Sequence, residues 1–259
     1  MKNNRRVIAT IQARMGSKRL PGKVLMNICG KPMLLFLVDR IKRSQTITDV
    51  VVATTHLSED DVIEDLCSKN SISIHRGSSE DVLARVTDAL QHFKCDIHVE
   101  CFGDSPFVEV ELVDKMVRKL IADIETLDIV TNAHRSTYPS GLETSVYKAD
   151  CLVRANAELP LNHPLREHAG FNLFTIKGRF NALHIEAPDH QSCPHLSLEV
   201  DEIADIEVVN SVCEHFAKLG QENFNLDQII QYSKEAPHIF QRNSDVRRRW
   251  KVARELYIP

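Results

Sequence analysis

Two hydrophobic rhythms alternate along the first half of the chain. Residues 6–12 (RVIATIQ), 49–54 (DVVVAT), 72–75 and 96–102 (DIHVECF) form short apolar runs rich in β-branched side chains, which predicts strands. Between them, residues 32–43 (PMLLFLVDRIKR), 58–69, 79–93 and 110–120 place apolar positions at helical spacing. Pro32 suits a first helical turn, and Ser58 opens a Ser-x-x-Asp capping pattern. Alternating strands and helices predict βαβ units, hence an α/β fold with a doubly wound, mostly parallel sheet. Ligands bind such sheets at the carboxyl ends of the strands, where the charged loops after Gln12 and Phe102 fall.

After Asp128 the rhythm changes. Residues 128–134 and 141–148 read as strands, 149–158 as a helix, and Arg166-Glu167-His168 leads into another helix. A polar loop follows, then 195–201 (HLSLEVD) as a strand and helices over 206–218 and 226–233. No linker interrupts the sequence, so residues 1–259 are expected to form one domain, with about 130–190 as a smaller region within it.

Composition narrows the function. Hydrophobic residues make up 43% and charged residues 26% of the chain, an ordinary balance for a soluble protein. A net charge of −4 argues against a nucleic-acid partner, which requires a basic surface. No apolar run is long enough for membrane insertion, and the one near the start is interrupted by Gln12 and Arg14, so a cytoplasmic location is expected. The seven cysteines form no CxxC pair and are expected as reduced core thiols. Twelve histidines match no zinc spacing, and Cys193 with His195 makes only two ligands. The basic tail Arg247–Lys251 (RRRWK) is read as a solvated helix end.

The most informative stretch is residues 12–23, QARMGSKRLPGK. Arg14, Lys18, Arg19 and Lys23 bring four cations to one loop after a strand, while Gly16, Ser17 and Gly22 let backbone amides approach a ligand. Such a loop can cradle a triphosphate with N–H groups and fixed positive charge. It is neither a Walker A loop nor a GxGxxG turn.

Residues 13–31 (ARMGSKRLPGKVLMNICGK) resemble the N-terminal signature of the cytidylyltransferases that activate ulosonic acids. The resemblance is to the SpsF-like spore-coat-polysaccharide family, with the Kdo and sialic-acid CMP-synthetases as wider relatives. DVVVATT, RGSSEDVLARV, GDSPFVEVELVDKM, TYPSGLE, REH and LEVDEIADIE follow in the family's order over nearly the whole chain. The resemblance implies a nucleotide-binding sheet with a smaller substrate and dimerisation region, and a homodimer. It implies that Arg14 and Lys23 grip the triphosphate, with Lys18 and Arg19 matching cations of the sialic-acid and Kdo branches. Gln12 and Ala13 would lie near the base, and Ser79, Asp81 and Arg85 near the nucleotide, although an ordinary capped helix explains the last three equally well.

Asp104 follows a predicted strand and Asp201 ends another. Two carboxylates at neighbouring strand ends can hold a hard cation through oxygen. In the Kdo branch the matching aspartates bind magnesium, so the resemblance implies Mg²⁺ at Asp104 and Asp201, acting with Arg14 and Lys23 in catalysis. The chain departs from its relatives at Glu100-Cys101-Phe102, at Ser140-Gly141-Leu142-Glu143 and at Glu202-Ile203-Ala204-Asp205. These departures lie where the acceptor belongs, which leaves the sugar open. Tyr138, Glu143, Arg166, Glu167 and His168 are the acceptor candidates, with Arg166 suited to a carboxylate through paired hydrogen bonds and His168 to the attacking hydroxyl. The expected reaction joins CMP from CTP to an acidic sugar. Transfer to a sugar phosphate, other small phosphate or phosphonate is the alternative, followed by an inactive nucleotide-binding homologue.

Overall fold

Strand β1 (Val7–Gln12), whose side chains are buried on both faces, lies inside a seven-stranded sheet. The computed structural model describes residues 5–135, 137–175 and 178–248. Arg249, Trp250 and Lys251 of the basic tail lie outside them, as does the side chain of Phe174. A two-residue hairpin, β2 (Asn27–Ile28) and β3 (Lys31–Pro32), precedes α1 (Met33–Ile41). Then come β4 (Asp49–Thr55), α2 (Asp61–Lys69), β5 (Ser73–Gly77), α3 (Val82–His92), β6 (Ile97–Phe102) and α4 (Val110–Ala122). The second half adds β7 (Ile129–Thr131), β8 (Ser145–Lys148), α5 (Ala149–Glu158), α6 (Phe171–Thr175) and β9 (Ala182–His184). It closes with α7 (Ile203–Lys218), α8 (Leu226–Glu235) and α9 (Pro237–Phe240).

The sheet order is β5-β4-β1-β6-β8-β7-β9. β5, β4, β1 and β6 run parallel, β8 pairs antiparallel with both β6 and β7, and β9 is parallel to β7. The α/β, mostly parallel architecture read from the sequence is therefore the one observed. Successive strand residues feed two apolar clusters: Val130 and Val146 join the larger with α1, α4 and α7, while Ile129 and Tyr147 join the smaller with α3 and α5.

Three local expectations change. Residues 195–201 form no strand: Leu198 bonds back to Ser140 at 2.7 Å and Val200 to Asp104 at 2.8 Å, so partners change before a ladder can repeat. The segment read as a polar loop contains β9 instead. Cys29, in the β2–β3 turn, and Cys213, on α7, stand side by side with their Cα atoms 5.3 Å apart, a pairing that their spacing in the sequence did not suggest. Cys67, Cys95, Cys101, Cys151 and Cys193 are free. No described helix is long and apolar enough to cross a membrane.

Candidate active site

The loop after β1 is held in shape by its own backbone and by one buried carboxylate. Met15 N–H donates to Asp60 Oδ1 at 2.6 Å, while Asp60 also accepts from the hydroxyl and amide of Thr55. Ser58 makes no cap; residues Ser58–Asp60 form a 3₁₀ turn that aims Asp60 at the loop. Gly22 N–H closes the loop onto Met15 O at 2.9 Å, and its φ of +71° is a left-handed conformation that favours glycine. The next residue, Lys23, begins a short 3₁₀ turn that points inward. Lys23 is only 9% exposed.

Its ammonium sits between the two aspartates singled out above. Nζ donates to Asp104 Oδ2 at 2.8 Å, to Asp201 Oδ1 at 3.1 Å and to the carbonyl of Val200 at 2.8 Å. Burial opposes its charge, but Asp104 and Asp201 outweigh that and raise its pKa above the ordinary lysine value. Arg19 pairs with the other oxygen of Asp201 and donates to the carbonyl of Arg247 at 2.8 Å. One cationic position thus lies within reach of both carboxylates at the carboxyl edge of β1 and β6.

Behind Asp201, the backbone amides of Asp201 and Glu202 both donate to Asp205 Oδ2 at 2.8 Å. Asp205 is fully buried and is gripped by Arg248 at 2.6 and 3.0 Å and by Asn243 at 2.7 Å. Arg248 also reaches Glu199 at 3.3 Å and Asp201 at 3.9 Å. Burial, then Asp104, Glu143 and Asp201, push the Glu199 carboxyl up to about 8.

Comparison with known proteins agrees with this architecture. The family model described as "Cytidylyltransferase" matches residues 8–243. The chain belongs to the cytidylyltransferase family. It is similar to the spore coat polysaccharide biosynthesis protein SpsF of Bacillus subtilis, 30% identical over 83% of this chain and 88% of that one. It is also similar to the 3-deoxy-manno-octulosonate cytidylyltransferase of Bdellovibrio bacteriovorus, 32% identical over 50% of this chain and 51% of that one. A solved cytidylyltransferase from Leptospira borgpetersenii superposes with a TM-score of 0.84, at 30% identity, covering 92% of this chain and 97% of that one.

Within this cytidylyltransferase the other nucleotide-side candidates form a second group. Arg14 is exposed and its guanidinium approaches the carbonyl of Ser79 at 3.5 Å; Lys18 is exposed as well. Arg85 is 2% exposed, pressed beneath Gly77, and donates to the carbonyl of Ser78 at 2.5 Å. Burial, then Arg14, bring its pKa down to about 10. Ala13 is buried and fastened to β4 through Ala53 at 3.3 Å, while Gly16 and Ser17 remain at the loop surface. Gln12, half-buried, donates from Nε2 to Glu100 Oε1 at 3.0 Å.

The acceptor candidates do not converge. Arg166 is 4% exposed and is held by four hydrogen bonds and an ion pair. They go to Asp81 Oδ2 from Nε at 2.8 Å and Nη2 at 2.7 Å, to the Asn156 carbonyl at 3.2 Å, to the Leu159 carbonyl at 2.9 Å and to Asn156 Oδ1 at 2.5 Å. With these partners in place, an acceptor carboxylate at Arg166 would have to displace Asp81, Asn156 or Leu159. Asp81 itself caps α3 through Ala84 N–H at 2.9 Å, so the pair joins α3 to α5. Tyr138 is 5% exposed and packs in the larger core cluster. Glu143 is half-buried, accepts from Gly141 N–H at 2.7 Å and is close enough to raise the Glu199 pKa. His168 and Glu167 lie at the surface.

Sequence reasoning missed Arg248, dismissed within a basic tail, and Glu199. Both sat in quoted motifs, but only the fold shows that their charges are shared with Asp201.

Proposed function

We propose that this cytidylyltransferase joins the CMP unit of CTP to a hydroxyl of an acidic, ulosonic-type sugar, releasing pyrophosphate. The observation that carries the reading is Lys23 Nζ meeting both Asp104 and Asp201 at the end of a parallel sheet, beside a loop of cations. The acidic acceptor is supported by kinship to a 3-deoxy-manno-octulosonate cytidylyltransferase, and not by Arg166.

The residues present fit Mg²⁺. Asp104 and Asp201 already share one cation, Lys23 Nζ, at 2.8 and 3.1 Å, and Mg²⁺ characteristically takes one or two carboxylates, with phosphates and water completing its shell. Asp104 and Asp201 would hold it, and it would supply charge neutralisation at the α-phosphate. Lys23 and Arg14 steady the triphosphate by charge-assisted hydrogen bonds, and Arg248 keeps the Asp201 turn in place through Asp205. The acceptor oxygen forms its bond to the α-phosphorus as the bond to the bridging oxygen breaks and pyrophosphate leaves; the hydroxyl proton is assigned to His168. Residues 130–190 are assigned to acceptor binding and homodimer contact, to be checked by light scattering at micromolar concentration; Leu161 is 85% exposed there, whereas Leu159 and Leu173 belong to the core.

Pyrophosphate release measured over a matrix of nucleotides and acceptors tests the reaction. CTP with a carboxylated sugar is the expected best pair. Preference for a purine nucleotide, or equal use of neutral sugars, would overturn it.

A further inference from the structure

We propose that Glu100 is a specificity-determining positioning residue: through Gln12 it presents a hydrogen-bond acceptor to the base, favouring a pyrimidine that offers an amino group over one that offers a carbonyl. The inference rests on the reading of the chain as a CTP-dependent enzyme and names what would make the choice of base.

Glu100 lies on β6 opposite Thr10, two residues before the end of β1, and is 3% exposed. Its Oε1 accepts twice, from Gln12 Nε2 at 3.0 Å and from the backbone amide of Gly170 at 3.0 Å. The second bond decides the orientation of the first. Gly170 N–H can only donate, which favours an Oε1 without a proton, and to such an oxygen the Gln12 amide presents its NH₂. The Gln12 carbonyl oxygen then points the other way. It takes no hydrogen bond from the described residues and is not among the enclosed, unpartnered polar atoms, although Gln12 is only half-buried. Gln12 is the last residue of β1, immediately before the loop of cations. An oriented acceptor therefore stands at the carboxyl edge of the sheet, where a nucleotide bound to that loop would lie.

The arrangement does not depend on the ionisation of Glu100. Burial pushes its carboxyl up to about 7, but a proton on Oε2 leaves Oε1 accepting from both donors. Gly170 is required at the far side, since a Cβ there would collide with the Glu100 carboxyl and come within 2.9 Å of the Tyr147 ring. Cytosine carries an amino donor on its pairing edge where uracil carries a carbonyl acceptor. Against a fixed carbonyl the first forms a hydrogen bond and the second leaves two acceptors opposed.

Equilibrium binding of CTP and UTP in the presence of Mg²⁺, measured by calorimetry on the full chain, tests this without an acceptor sugar. Wild type is expected to prefer CTP by about tenfold or more. Glu100→Gln, whose carbonyl can accept the same two bonds, should keep that ratio within about threefold. Glu100→Ala frees the Gln12 amide to turn, and the ratio should fall toward one. Gln12→Ala, which leaves the buried carboxyl intact, should lose the preference too and covers the case in which Glu100→Ala fails to fold. Equal binding of CTP and UTP by wild type, a full preference retained in Gln12→Ala, or a preference lost in Glu100→Gln overturns the inference alone. Failure of folded wild type to bind either nucleotide overturns the CTP reading and this one with it.

Discussion

The edge of the sheet holding Lys23, Asp104 and Asp201 and the segment from Pro164 to Thr175 both carry charge, but they use it in opposite ways. At the sheet edge the partners are distant in sequence and shared: Lys23 serves both aspartates, and Asp201 meets Lys23, Arg19 and Arg248. In the later segment Arg166 ties three fixed neighbours, Asp81, Asn156 and Leu159. Ions shared among several charged partners can exchange one of them for a ligand, whereas a guanidinium held by one carboxylate and its backbone neighbours braces helices.

Mutagenesis should break this contrast if it is wrong. The largest effect is expected from Asp104→Asn and Asp201→Asn, which should each abolish pyrophosphate release while the circular dichroism spectrum stays native. Full turnover in either folded variant, or in EDTA, would remove these carboxylates from the reaction. Arg166→Ala should act on the fold instead, because it strands Asp81 in a half-buried site; about 3–5 kcal/mol of unfolding free energy should be lost. A denaturant melt indistinguishable from wild type, or a rise confined to the acceptor KM, would return Arg166 to the substrate. Lys23→Ala should lower kcat/KM by about 2–4 kcal/mol of transition-state stabilisation. Steady-state kinetics showing no change would disqualify its ammonium. At the small end, Ser58→Ala should shift stability by no more than about 0.5 kcal/mol, since Ser58 makes no cap. A loss of ~1 kcal/mol in thermal unfolding would show that it does.

The same contrast explains what was legible in the sequence. Strands β1 and β4 announced themselves because strands buried on both faces need near-continuous apolar runs, whereas β6 carries His98 and Glu100 within its run; the loop of cations stood out because no packing need explains four positive charges there. Residues 195–201 misled because alternation shows which side chains are buried, not whether the backbone finds a continuous partner; here it passes from Ser140 to Asp104. The Arg-Glu-His string looked like a ligand site for lack of any sequence signal that Asp81, 85 residues away, would claim the arginine. Arg248 failed in the reverse sense: its basic neighbours suggested solvent, but Asp205 draws it into the core.

The bond from Arg19 to the carbonyl of Arg247 joins positions 228 residues apart. In a chain made from one end to the other, the loop that would hold the phosphates emerges early, while the segment that fastens Asp201 emerges only after every strand has been made. Timing therefore belongs to this site's construction: a nascent polypeptide stopped before residue 247 has its whole sheet but lacks the clasp, and should become competent only when that last stretch docks.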